Sequence, residues 1–414
     1  MRGESRPMTS RRTPASTGSR ALTNARSAKQ DEFYTQYVDI QKEVEAYVEF
    51  DPNTFRDKVV YCNCDDPFES NFFKFFGANF NRLGLKKLIS TSYNGSNIAG
   101  AQLTLDEYAR GKRGAPKPSA IALEIDEVTD LNGDGATGID DVRLFLERNQ
   151  HSRKRLEGGG DFRSAECVEL LKSADIVVTN PPFSLFREYV AQLVKHGKKF
   201  LIIGNFNAVT YKEIFPLIMA NKMWLGETIH SGDREFRVPE SYPLEAAGFR
   251  IDDDGNRFIR VKGVRWFTNL DHGRRHQPLS LMTMAENLRF NPKLKDDSAY
   301  EKYDNYDAIE IGSYKAIPAD YAGVMGVPIT FLDKYNPEQF EIVGTTESND
   351  PDNRYRTRWY SSSECRAAYN DRFGKVGVYD LNASGVINGV KKFKRVLIRR
   401  RGGGDQGAGN VNEA

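Results

Sequence analysis

The chain has 414 residues, and its 59 Lys and Arg residues nearly balance 57 Asp and Glu residues, which leaves a formal net charge of +2. This balance excludes a histone-like polycation and an acidic solvating chain, although nucleic-acid binding needs only a local basic surface. The length predicts two or three domains, or one large domain with insertions. The four cysteines lack metal-ligand spacing and are expected to be reduced thiols. The sequence has neither a long apolar run nor an apolar signal core, so we expect a cytoplasmic protein without a membrane segment.

The two ends of the chain differ in composition from the rest. Residues 1–30 contain seven Lys or Arg residues against one Glu and show no apolar period. We therefore expect a disordered basic arm, with a transit peptide as the alternative. Residues 402–414 are rich in glycine and are also expected to be disordered.

Strands and helices alternate from residue 31 to about residue 226. Apolar runs predict strands at 58–64, 87–92, 120–128, 175–179 and 199–204. Helices are predicted at 31–50, 70–83, 164–172, 184–196 and 211–221. This alternation predicts a doubly wound, Rossmann-like α/β sheet in a domain at 31–228, with an acidic insertion near 120–150.

Beyond residue 228 the alternation gives way to short strands, turns and scattered arginines and aromatic residues. We expect residues 229–401 to form a separate mixed α+β region that recognises a target. Its candidate contacts to phosphates or guanines are Arg234, Arg237, Arg265, Trp266, Arg274 and Arg275, with ordinary solvated arginines as the alternative. The basic segment 391–401 is either a phosphate-facing strand or a solubilising edge strand.

The tetrapeptide Asn180-Pro181-Pro182-Phe183 directly follows the predicted strand at 175–179. Ligands of α/β sheets bind at the carboxyl ends of strands, and two prolines there give a rigid, extended backbone without amide donors. The Asn180 side-chain oxygen and the Pro181 carbonyl can accept both hydrogens of an exocyclic amine and direct its lone pair at a methyl donor, while Phe183 stacks on the base. The motif therefore predicts amino methylation, with a core strand-to-helix turn as the alternative.

Two further segments are predicted to hold the methyl donor. The first strand-to-helix turn has no glycine and consists of Cys62, Asn63, Cys64, Asp65, Asp66 and Pro67. Its two carboxylates either bind ribose hydroxyls or an amino group, or they cap a helix. Asp161 and Phe162 follow three glycines, and Asp161 either accepts a hydrogen bond from a bound adenosine or belongs to a glycine turn.

The acidic loop matches a calcium-binding loop in part. Asp130, Asn132, Asp134 and Asp141 occupy its positions 1, 3, 5 and 12. Position 12 is Asp rather than the longer Glu, and the preceding segment is predicted to be a strand. A structural Asp/Gly turn is therefore favoured over calcium binding, and no metal is expected in the reaction.

Several segments together carry a resemblance to a known family. They are VYCNCDDPFESNFFKFF (60–76), DLNGDGATGIDD (130–141), GDFRSAEC (160–167), DIVVTNPPFSLFREYV (175–190), FLIIGNFNAVTYKEIFPLI (200–218), RWFTNLDH (265–272) and GVMGVPITFLDKYNPEQFEIVG (323–344). Over most of residues 31–345 the chain resembles the EcoRI-type adenine-specific DNA methyltransferases. The resemblance implies a class I S-adenosylmethionine-dependent fold, NPPF as the catalytic motif, and the CNCDDP turn in place of a glycine-rich cofactor loop.

The combined prediction is a site-specific DNA methyltransferase. It would transfer a methyl group from S-adenosylmethionine to N6 of an adenine flipped out of duplex DNA. Double-stranded DNA and a cognate restriction endonuclease are the expected partners of a monomeric enzyme. The alternatives are methylation of an RNA adenine or a protein glutamine amide, and a catalytically silent DNA-binding module.

Overall fold

The computed structural model describes residues 35–68, 70–93, 120–149, 153–238, 248–294, 299–347, 354–377 and 380–401. The predicted basic arm and the predicted glycine-rich tail lie outside these described residues. Within them, no helix is both long enough and apolar enough to cross a membrane.

The described helices and strands follow the predicted alternation as far as β6. The helices are α1 (Tyr37–Phe50), α2 (Asn71–Ala78), α3 (Phe80–Leu83), α4 (Ile139–Arg148), α5 (Ala165–Ser173), α6 (Phe186–Lys195), α7 (Phe215–Met219), α8 (Met284–Phe290) and α9 (Ser362–Phe373). The strands are β1 (Val59–Cys62), β2 (Lys87–Thr91), β3 (Ile121–Ile125), β4 (Arg153–Arg155), β5 (Ile176–Thr179), β6 (Lys199–Asn205), β7 (Trp224–Leu225), β8 (Asp233–Val238), β9 (Arg250–Ile251), β10 (Arg257–Lys262), β11 (Val264–Thr268), β12 (Ile309–Glu310), β13 (Met325–Pro328), β14 (Phe340–Thr345), β15 (Val386–Ile387), β16 (Val390–Lys391) and β17 (Arg395–Arg400). The five predicted strands are confirmed, and β4 is an addition.

Contacts divide the chain into two compact units. The first contains the described residues up to 48, with 52–206 and 231–266, and the second contains 49–51, 207–230 and the described residues from 267 onward. This division differs from the single boundary predicted near 228. The difference arises because the chain returns to the first unit after residue 230 and there supplies part of the central sheet, through β11.

A mixed α/β sheet forms the centre of the first unit. Its described strands lie in the order β4-β3-β2-β1-β5-β6-β11. The four strands β2, β1, β5 and β6 are parallel neighbours, whereas β3 pairs antiparallel with both β2 and β4. The chain proceeds outward from β1 to β2 on one side and from β5 to β6 on the other. The strand order therefore reverses between β1 and β5, where open α/β sheets bind their ligands.

Burial explains why these segments form a sheet with covering helices. All four residues of β5 are buried, as expected for a parallel strand covered on both faces. Helix α6 buries Phe186, Tyr189, Val190 and Leu193, whose spacing of three, four and seven residues gives one apolar stripe. This stripe packs α6 against the core. Two residues separate the helix from the NPPF segment.

A separate antiparallel sheet of the first unit has the order β8-β10-β9. Beyond the first unit, β11 continues into Phe267 and Thr268, which pair antiparallel with β7. The second unit contains a mixed sheet in the order β12-β13-β17-β14 and the hairpin of β15 and β16. The predicted region 229–401 thus contributes strands to both units, and its role as one target-recognition region stays a prediction.

Candidate active site

The carboxyl ends of β1, β2 and β5 lie side by side, because these strands are adjacent and parallel. The turn at 63–67 follows β1, Ser92 follows β2, and Asn180–Phe183 follows β5. The fold thus brings the predicted cofactor turn and the predicted catalytic motif to one edge of the sheet. We refer to this edge as the site edge.

The turn after β1 has a backbone shape that usually requires glycine. Cys62 ends the strand and is fully buried, and Asn63 is buried beside it. Cys64 has a φ of 61°, in the left-handed region that side chains with a Cβ atom disfavour. Glycine is the usual residue at such positions in dinucleotide-binding turns. The CNCDDP turn therefore keeps a left-handed residue without using a glycine.

Asp65 connects this turn to two neighbouring elements. Its Oδ2 accepts a hydrogen bond of 2.6 Å from the Thr179 hydroxyl, and its Oδ1 accepts one of 3.0 Å from the Ser70 hydroxyl. Ser70 is the N-cap of α2 and accepts from the backbone amides of Phe72 and Phe73. Both carboxylate oxygens of Asp65 thus contact side chains of the protein.

Asp66 and Asn63 make further contacts in the same turn. Asp66 accepts a hydrogen bond of 2.9 Å from the backbone amide of Phe68, across Pro67. The side-chain oxygen of Asn63 accepts one of 3.0 Å from the hydroxyl of Thr91, at the end of β2. Side chains of the turn are therefore bound to the ends of both strands that flank β1.

The Asn180–Phe183 segment is short and fixed by its prolines. Asn180 is half-buried with its side-chain oxygen fully covered, and Pro181 is buried. Pro182 is extended, with φ −53° and ψ 124°, and its carbonyl accepts a hydrogen bond of 2.9 Å from Leu185. Phe183 begins a 3-10 turn that leads into α6. The prolines thus set the backbone that carries the Asn180 side chain and the Pro181 carbonyl.

Gly160 brings the Asp161–Phe162 segment to the site edge. It has a φ of 73°, and an added Cβ would lie 1.8 Å from the carbonyl oxygen of Ser92. Only glycine allows this approach of two backbones. Phe162 is buried and packs edge to face on Tyr189 of α6, with ring centroids 5.0 Å apart.

Asp161 forms an ion pair beside this approach. Its Oδ2 lies 2.7 Å from Arg163 Nη2, and Arg163 also lies 3.3 Å from Glu188 on α6. The hydrogen bond to Asp161 is the main reason why the pKa of Arg163 is raised. Contact of Asp161 with an adenosine stays a prediction.

Uncharged side chains surround the turn. Burial raises the pKa of the Cys62 thiol and of the Tyr61 and Tyr189 hydroxyls well above their usual values. Cys62 is therefore protonated at neutral pH and is unsuited to act as a nucleophile. This arrangement favours direct transfer over a covalent enzyme intermediate through Cys62.

The four candidate DNA contacts in the first unit lie in two different environments. Arg234 and Arg237 lie on β8, where Arg237 is exposed. Arg265 and Trp266 lie on β11 and are 5% and 1% exposed. The Arg265 guanidinium lies 4.7 Å from the ring centre of Phe206, so β11 is a core strand. Burial argues against direct DNA contact by these two side chains, and that role stays a prediction.

Arg274 and Arg275 belong to a network inside the second unit. Arg275 is 7% exposed, lies 3.7 Å from the ring centre of Trp224, and pairs with Asp271 at 3.3 Å. The backbone amide of Arg274 donates to Glu227 at 3.1 Å. Both residues therefore make contacts within the protein, and the buried Arg275 makes the most. Their predicted contact with phosphates stays a prediction.

The acidic loop folds as a turn closed by its own carboxylates. Asp130 accepts hydrogen bonds from the amides of Gly133 and Gly135, at 2.6 and 2.8 Å. Asp141 accepts from Gly138 at 2.7 Å, and this bond is the main reason why its pKa is lowered. Asn132 and Asp134 accept from backbone amides in the same loop. No group of His, Cys, Asp or Glu side chains in the described part of the chain is arranged to hold a metal ion.

The structure adds residues that the sequence did not single out. Thr179 contacts Asp65, and Gly160 contacts the end of β2. In the second unit, the Arg356 guanidinium lies between Tyr306 and Trp359, 5.0 and 3.4 Å from the two ring centres, and Trp359 is 56% exposed. Arginines and aromatic residues alternate in the sequence at 354–360, and this pattern could have indicated the exposed contact of Arg356 with Trp359.

Comparison with known proteins identifies the family. The model of the adenine-specific methyltransferase EcoRI family matches residues 21–401. The Type II methyltransferase M.EcoRI of Escherichia coli is 47% identical over 78% of this chain and 88% of its own length. The Type II methyltransferases M.MpnI of Mycoplasma pneumoniae and M.MgeORF184P of Mycoplasma genitalium are 38% and 34% identical, each over 92% of this chain and 98% of its own length.

Comparison with solved structures gives no significant match. The family match and the Type II relatives confirm the resemblance and the enzyme class expected from the sequence. The chain belongs to the EcoRI-type adenine-specific methyltransferase family and is an adenine-specific methyltransferase.

Proposed function

We propose that this enzyme transfers the methyl group of S-adenosylmethionine to N6 of an adenine flipped out of duplex DNA. The observation that carries the proposal is the position of Asn180–Phe183 at the end of β5, beside the turn that follows β1. Membership of an adenine-specific family favours an adenine over a glutamine amide. The Type II methyltransferase relatives favour DNA over RNA.

The strand order supports a class I, Rossmann-like methyltransferase fold. Four parallel strands lie at the centre of the described sheet, and their order reverses between β1 and β5. In open α/β sheets this reversal opens a crevice at the carboxyl ends of the strands. The proposed cofactor and the target base would therefore meet at the site edge.

The residues of the site edge suit a nucleoside cofactor. The backbone of the 63–67 turn and the carboxylate of Asp66 would hold its polar part, and Asp161 and Phe162 would hold its base. The close backbone approach at Gly160, which a Cβ would block, supports a shaped recess at this point. When bound, S-adenosylmethionine supplies an electrophilic sulfonium methyl group.

The catalytic segment acts by positioning. Asn180 accepts one N6 hydrogen through its side-chain oxygen, and the Pro181 carbonyl accepts the other. These two bonds favour a tetrahedral nitrogen, which frees the lone pair that is otherwise delocalised into the ring. Phe183 stacks on the flipped base. The prolines contribute by fixing φ in the segment that carries both acceptors.

The candidate DNA contacts are arginine and aromatic side chains at exposed positions. Arg237 on β8 and the arginine–aromatic segment at 354–360 present cationic and aromatic groups, which bind phosphates and bases respectively. Arg237 belongs to the first unit and the 354–360 segment to the second, and each is proposed as a separate contact. A monomeric cytoplasmic enzyme with a cognate endonuclease remains part of the proposal.

Transfer of labelled methyl groups tests this function. The enzyme is incubated with methyl-labelled S-adenosylmethionine and either duplex DNA, RNA or unmodified bacterial protein. We expect label on duplex DNA, its loss in Asn180→Ala, and its retention in the control Asn370→Ala, which changes an exposed residue of α9. Label on RNA or protein alone, or full activity of Asn180→Ala, would refute the proposal.

A further inference from the structure

We infer that Asp65 and Thr179 form a buried lock that positions Asn180 for methyl transfer. In this role Asp65 is a positioning residue. Its place in the turn after β1 had predicted a cofactor ligand instead. The inference rests on the proposed function, since it concerns the rate of the same reaction.

The lock begins at the last residue of β5. Thr179 is fully buried, and its hydroxyl lies 2.6 Å from Asp65 Oδ2 and close to the carbonyl oxygen of Asn63. A hydroxyl has one hydrogen to donate, and here both acceptors belong to the turn after β1. Because Thr179 is bonded directly to Asn180, this contact fixes the backbone immediately before the catalytic side chain.

Asp65 extends the lock to the neighbouring elements. Its other carboxylate oxygen accepts from Ser70, the N-cap of α2, and its backbone carbonyl accepts from the hydroxyl of Ser90 on β2. Ser70 and Ser90 are 1% and 0% exposed, so water does not compete for these bonds. One residue therefore connects β1, β2, β5 and α2 at the site edge.

This placement predicts a loss of rate without a matching loss of cofactor affinity. The Asp65 carboxylate oxygens accept from the hydroxyls of Thr179 and Ser70. Removing either hydroxyl therefore changes a contact within the protein and not a contact to the cofactor. Methyl transfer depends steeply on geometry, and a misplacement of about 1 Å can cost about 100-fold in rate. A cofactor ligand would show the opposite division, with weaker binding and a normal rate at saturation.

Thr179→Val is the test, because valine keeps the shape and removes the hydroxyl. Transfer to duplex DNA is followed in a single turnover, and S-adenosylhomocysteine binding is measured by calorimetry, which also counts folded sites. We expect the rate per folded site to fall by about 10- to 100-fold, while the Kd changes by less than about 3-fold. Thr179→Ser, which restores the hydroxyl, should recover most of the loss. Thr210→Val is a control, because its hydroxyl donates to the carbonyl of Asn207 within its own turn.

The partner residue provides a second, independent measurement. Asp65→Asn should also lower the rate per folded site, and the double variant with Thr179→Val should be no slower than the slower single variant, because both changes break one contact. A wild-type rate in Thr179→Val, or a loss confined to the Kd in Asp65→Asn, would overturn the inference. If the wild-type enzyme itself left duplex DNA unmethylated, the proposed function would fail instead.

Discussion

Replacing Gly160 by alanine tests whether the Asp161–Phe162 segment is held against the end of β2. The added Cβ would lie 1.8 Å from the carbonyl oxygen of Ser92, whereas ordinary contacts begin at 3.4 Å. The obstructing atom belongs to the backbone, so it cannot rotate away as a flexible side chain would. Either the segment moves off the site edge or the end of β2 is displaced.

The magnitude combines two costs. A left-handed residue with a Cβ atom costs about 1–2 kcal/mol, and overpacking a close contact adds about 1–3 kcal/mol. Gly197→Ala is the matched control, because Gly197 has a φ of 63° and an added Cβ there would meet nothing within 4 Å. At about 2–4 °C per kcal/mol, the control should lower Tm by about 2–8 °C and Gly160→Ala by about 4–20 °C.

Thermal unfolding of both variants is measured with and without S-adenosylhomocysteine. A ligand that binds only the folded state raises Tm, so a damaged site edge should reduce that rise. We expect a full rise in Gly197→Ala and a reduced rise in Gly160→Ala. Equal Tm losses and equal ligand responses in the two variants would refute the assignment of Gly160 to a shaped site edge.

Three further sets of substitutions test separate parts of the structure. Cys64→Gly should stabilise the protein by up to about 1 kcal/mol, because glycine relieves the left-handed strain at this position. Cys64→Val should destabilise it, because a β-branched side chain is disfavoured there more strongly than that of cysteine. Equal unfolding midpoints of the two variants would contradict this. The pKa of His276 is raised, mainly by its hydrogen bond to Glu338, so its stabilising contribution is complete below about pH 6.5 and is lost as pH rises through the raised value. His276→Gln should therefore flatten the pH dependence of Tm above about pH 6.5, and an unchanged profile would count against the pair. Arg237→Ala should weaken duplex DNA binding and reduce the slope of log affinity against log salt concentration by about 1, whereas buried Arg275→Ala should mainly lower Tm. Binding is measured by fluorescence anisotropy at several salt concentrations. A reduced slope in Arg275→Ala with an unchanged slope in Arg237→Ala would contradict this assignment.

The sequence allowed the central strands and the catalytic motif to be predicted because both signals are local. The apolar runs of β1, β5 and β6 and the proline pair at Pro181 and Pro182 are visible within a few residues. Their meeting at one edge follows from parallel pairing, which the alternation with helices already indicates.

Other features depend on partners far away in the chain. Arg265 was expected at the surface because arginines usually are, yet it is buried over Phe206, a contact that only the pairing of β11 creates. Likewise His276 pairs with Glu338, which lies 62 residues away. The contact between Thr179 and Asp65 spans 114 residues. No local pattern specifies such pairs.

The identity of the methylated product tests the central claim most directly. Duplex DNA treated with enzyme and S-adenosylmethionine is digested to nucleosides and examined by mass spectrometry against synthetic standards. The account predicts N6-methyl-2′-deoxyadenosine, present with the wild-type enzyme and absent with Asn180→Ala. A product methylated on cytosine, or the same adenine product from Asn180→Ala at the wild-type rate, would contradict it.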